Sequence, residues 1–76
     1  MKDYLLNKWT EDIDIYQRHA QLCLNEKNRI IEDFARAGRK PPMSAQGRLY
    51  DLGFAIKEYE DDIAKLRERI ADHVEE

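Results

Sequence analysis

The stretch LYDLGFAIKEYEDDIAKLRERIADH, residues 49–73, decides the fold. Read in steps of three and four it gives Leu49, Leu52, Ile56, Tyr59, Ile63, Leu66, Ile70 and His73. Seven of these eight positions are apolar or aromatic, and most of the residues between them are charged. That spacing holds the apolar residues on one narrow stripe of an α-helix, the stripe a partner helix covers.

The first half of the chain carries the same phase. Leu6, Trp9, Ile13, Tyr16, Ala20, Cys23, Lys27, Ile30 and Phe34 continue it without a slip, and Lys27 is its one strong violation. Asp3 serves as a possible N-cap, and the alternative start at Thr10 would leave Leu6 and Trp9 in phase for no reason. Acid-first pairs four residues apart, Asp14 with Arg18 and Glu32 with Arg36, each add about 0.3–0.5 kcal/mol. Asp61 with Lys65 does the same in the second half.

Between the two patterns lie Gly38 and Pro41-Pro42. A glycine is the natural left-handed residue just past a helix, and proline cannot continue one. Ser44 then reads as the N-cap of the second helix. The expectation is an all-α chain: helix 3–37, loop 38–43, helix 44–74, forming one domain. Each helix would be roughly 45–50 Å long. So short a connection forces a long antiparallel two-helix hairpin.

A 76-residue chain with one cysteine buries a thin core and cannot form an internal disulfide. Chains of this size usually need a staple, and oligomerisation is the one left. The hairpin is therefore expected to dimerise into a four-helix bundle. A lone thiol fits a cytoplasmic setting. No signal-like run opens the sequence, and no window approaches a membrane span.

The hairpin seam leaves apolar residues over. Ile15 and Leu22 lie a heptad apart on one flank of the first helix, with His19 between them. Leu24 and Ile31 lie a heptad apart on the other, and Tyr50 and Phe54 face away from the second seam. Contiguous exposed apolar surface marks an interaction site. Ile15, His19 and Leu22 are assigned to a homodimer contact, and Leu24, Ile31, Tyr50 and Phe54 to a different protein. The two assignments are interchangeable on the sequence alone.

The charge is uneven. Residues 25–48 carry a net +3 and residues 49–76 a net −5 within a total of −3. Arg36, Arg39, Lys40 and Arg48 make a basic tip that two copies of the chain would present to phosphates. The expected shape resembles the Rop-like proteins, small plasmid-encoded hairpins that dimerise into four-helix bundles and bind paired RNA loops. This resemblance is one of architecture, and it implies a nucleic-acid-binding dimer using the basic loop as the alternative reading.

Catalytic and metal chemistry find little support. His19 and His73 belong to no Glu-x-x-His or His-x-x-x-His pattern, and Cys23 has no thiol partner. On the seam Cys23 reads as a small hydrophobe. Ser44, the one serine, is taken up as a cap. A non-enzymatic module without cofactor or metal is expected, one that binds a partner protein. Its size and architecture suggest an inhibitor or anti-activator of a bacterial regulatory protein, of the type carried by phages and mobile elements. A structural subunit of a larger assembly is the third reading.

Overall fold

The computed structural model describes residues 2–75, with side chains described from Tyr4 to Val74. Two helices, α1 (Lys2–Arg36) and α2 (Met43–Glu75), pack against each other as an antiparallel hairpin. No strand occurs among the described residues. The Cα trace measures 55 × 15 × 14 Å. That is the length of one 35-residue helix at about 1.5 Å per residue.

The seam follows the heptad phase throughout. All nine α1 positions from Leu6 to Phe34 are half-buried. On α2, Leu52, Ile63 and Leu66 are the deepest residues, at 3, 7 and 8% exposure, and the other five seam positions are half-buried. These three are the only buried apolar residues among the described residues, and none of them is completely withdrawn from solvent. Two helices can cover a stripe but not enclose it, so most seam side chains keep one edge in water.

Gly38 ends α1 at φ +65°. The Arg39 amide donates to the Phe34 carbonyl at 3.0 Å and the Gly38 amide to the Ala35 carbonyl at 3.1 Å. These are the two bonds of a Schellman cap, and they satisfy carbonyls that the end of the helix would otherwise leave bare. At the other side of the loop the expected cap is corrected. The Gln46 amide donates to the Pro42 carbonyl at 2.9 Å, so the first turn already encloses Ser44. The Gln46 side chain folds back onto the Pro41 carbonyl at 2.8 Å. At the start of α1 the helix is already under way at Asp3, whose side chain lies outside the described residues.

The helix-surface pairs agree in part with their spacing. Arg18 meets Asp14 at 2.7 Å. Arg36 turns to Asp33 at 3.1 Å instead of Glu32, because the i,i+3 carboxylate lies within the same reach. Asp61 and Lys65 form no ion pair among those found between described residues. Across the seam, Trp9 stands edge-on to His73 with ring centroids 5.6 Å apart. Tyr16 and His19 both pack on Tyr59, at 6.0 and 5.6 Å. Arg48 joins Glu26 nearer the loop.

Lys27, the seam violation, has a structural outlet. Its ammonium lies 3.9 Å from where a Cβ on Gly53 would stand. The missing side chain at Gly53 lets the lysine stem lie along α2 while its charge stays at the groove edge.

Candidate functional site

The two sides of the hairpin differ. Heptad phase puts Gln17, Leu24 and Ile31 of α1 on the same side as Gly53, Glu60, Arg67 and Val74 of α2. Two grooves open along this side. The central one, about 540 Å³, is floored by Ala20, Ile56, Ile63 and Ala64 and bordered by Gln17, Gln21, Leu24, Glu60 and Arg67. Ala20, on the seam, is too short to fill the space between the helices there, and the short side chain of Ala64, exposed on α2, borders the same opening. The second, about 400 Å³, lies toward the loop and is lined by Lys27, Leu49, Tyr50, Gly53, Phe54 and Lys57.

Leu24, Tyr50 and Phe54 thus come together on one face, with Ile31 one heptad on from Leu24. Their exposures are 38% for Leu24, 45% for Ile31, 75% for Tyr50 and 56% for Phe54. Met43, at 84%, adds to the exposed apolar surface at the start of α2. Glu60 and Arg67 escape a reading by hydrophobicity because they are charged. Their signal is positional: both occupy the heptad row beside the seam, on the groove side.

The opposite side is less open. Ile15 and Leu22 are exposed, but His19 is engaged within the chain. Its Nδ1 lies 3.4 Å from the Tyr59 hydroxyl, and its ring stands edge-on to the Tyr59 ring. His19 is itself exposed, so this contact within the chain leaves part of its ring on the surface beside Ile15 and Leu22.

The basic tip is partly neutralised. The Arg48 Nε donates to Glu26 Oε1 at 3.1 Å, and its Nη2 donates to both carboxylate oxygens at 2.9 Å. Arg36 is occupied by Asp33. Arg39 and Lys40 form no ion pair among those found between described residues, and both are exposed.

Among the described residues no cluster of three or more His, Cys, Asp or Glu side chains has metal-site geometry. His73 faces Trp9 at the open end, whereas His19 faces Tyr59 near mid-hairpin. Cys23 is half-buried on the seam. The run Glu58, Glu60, Asp61 and Asp62 is solvent-exposed. Among the described residues no helix is long and apolar enough to cross a membrane.

Fold and surface define a class: a two-helix hairpin that carries exposed apolar side chains beside two grooves on one face. No protein-family model, curated protein or solved structure matches the chain.

Proposed function

We propose that this chain is a small non-enzymatic protein-binding module that docks helices of another polypeptide on its grooved face. One observation carries the proposal. Leu24, Ile31, Tyr50 and Phe54 lie exposed along one face, beside two grooves whose floors are apolar. Apolar surface removed from water contributes about 25 cal/mol per Å². Covering this face therefore stabilises the hairpin. A helix fits such a groove through residues spaced three and four apart. Lys27 and Lys57 at one groove, and Glu60 and Arg67 at the other, supply charges that select a partner more than they strengthen its hold. Occupying a partner's surface is also how an inhibitor or anti-activator works. That finer assignment draws on size and architecture alone.

The test is affinity capture from a bacterial lysate with the immobilised chain and its Tyr50→Ala and Phe54→Ala variants. The expected result is a protein retained by the wild type and lost by both variants, with far-UV circular dichroism unchanged. Retention of the same proteins by all three forms, or unfolding of both variants, would overturn it.

A further inference from the structure

Resting on the same docking face, we propose that the central groove is closed by a second copy of this chain, with α2 antiparallel to α2. The row of α2 residues beside the seam reads Gly53, Glu60, Arg67 and Val74. Laid antiparallel on itself about an axis level with Ile63 and Ala64, this row is self-complementary. Glu60 of each copy meets Arg67 of the other, and Val74 of each meets Gly53 of the other. Residues a heptad apart are separated by about 10 Å along the helix. Both contacts therefore fall into register together, twice each.

Four observations support this occupant. Glu60 and Arg67 border the groove, and neither appears in the ion pairs formed between described residues of one chain. Val74 is 66% exposed, and nothing in the chain would stand within 4 Å of a Cβ at Gly53 except the tip of Lys27. A small residue, Ala64, sits at the axis, where two helices must approach most closely. The α1 border of the groove, Gln17, Gln21 and Leu24, is uncharged, so no like charges are opposed there. The area also suffices. The overlapping part of α2, residues 52–75, is about 36 Å long, and a strip of that length by 15 Å is on the order of 540 Å² per copy, which in total just clears the roughly 1,000 Å² of a specific interface.

In this register α2 overlaps its copy from about residue 52 to its end, and residues 43–51 overhang. Met43 and Tyr50 then stay uncovered at each end of the dimer. A different protein can still be captured there, and Tyr50→Ala reports on that capture alone, whereas Phe54→Ala falls inside the overlap and reports on both contacts.

The experiment is sedimentation equilibrium on the wild type, Glu60→Arg, Arg67→Glu and the double variant, with helicity followed in parallel. Both positions are exposed, so the hairpin tolerates reversal. The wild type is expected at twice the chain mass. Each single reversal sets like charges face to face twice and weakens the dimer by about tenfold or more. The double reversal restores it. A second readout uses Ala64→Cys in a Cys23→Ala background, which is expected to oxidise to a covalent dimer. A wild type that stays monomeric overturns the second copy and leaves the docking of another protein standing. A dimer indifferent to all the reversals, with no covalent dimer from the Ala64→Cys variant, overturns it too and moves the contact to the Ile15–Leu22 flank. Single variants that lose helicity leave the double variant and the cross-link to decide, and failure of both overturns the proposal.

Discussion

Arg48 grips Glu26 across the hairpin with three hydrogen bonds of 2.9–3.1 Å, using its Nε and Nη2 against both carboxylate oxygens. It is the one ion pair that joins α1 to α2 among the described residues. Both side chains are about half exposed, so solvent screens the attraction, and such pairs are worth about 0–1 kcal/mol. Lysine lacks the planar fork and cannot reproduce the geometry. Arg48→Lys is expected to lower stability by up to about 1 kcal/mol in urea titration. The difference should shrink as salt rises, and a loss unaffected by salt would assign the effect to packing of the arginine stem.

The glycines of the chain should respond in opposite directions. Gly38 holds φ +65°, a conformation that costs an L-residue about 1–2 kcal/mol, so Gly38→Ala is destabilising by about that amount. Gly47 sits in α2 with open space where a Cβ would go. Gly47→Ala should therefore stabilise by about 0.5–1 kcal/mol. Thermal melts of the two variants at equal concentration check both signs.

At the open end, the Nε2 of His73 is buried without a hydrogen-bond partner among the described residues, while the ring meets Trp9 edge-on. The aromatic contact is worth about 0.5–1.5 kcal/mol. The unpaired nitrogen costs about 1–3 kcal/mol. The two ranges overlap, and the midpoint of the second is the larger by about 1 kcal/mol. His73→Leu is therefore expected to raise stability by about 1 kcal/mol, within the range set by that difference. A lower melting temperature would show that the Trp9 contact dominates.

Much of this architecture is legible in the residues. The unbroken three-four phase identifies the seam, and every seam position from Leu6 to Phe34 and from Leu49 to His73 is at least half-buried. Gly38 is legible because few residues accept its backbone angle. Ser44 is misleading: a good capping side chain does not cap when the prolines before it already supply the first carbonyl. Arg36 misleads in another way, since Asp33 and Glu32 are both within reach and spacing alone does not choose between them.

The candidate surface is legible only through its apolar members. Leu24, Tyr50 and Phe54 can be singled out as unused by the seam, and their convergence on one face follows once the heptad phases of the two antiparallel helices are set against each other. Glu60 and Arg67 are invisible to a search for apolar residues. The central groove is lined in part by Ala20 and Ala64, and a small seam residue such as Ala20 announces a void only once the opposing helix is in place.

The central claim is that this face is closed by a copy of itself, and the mass in solution tests it most directly. Sedimentation equilibrium of the purified chain from micromolar to millimolar concentration should approach twice 9.1 kDa. A well-folded species that stays at 9.1 kDa over the whole range would contradict it.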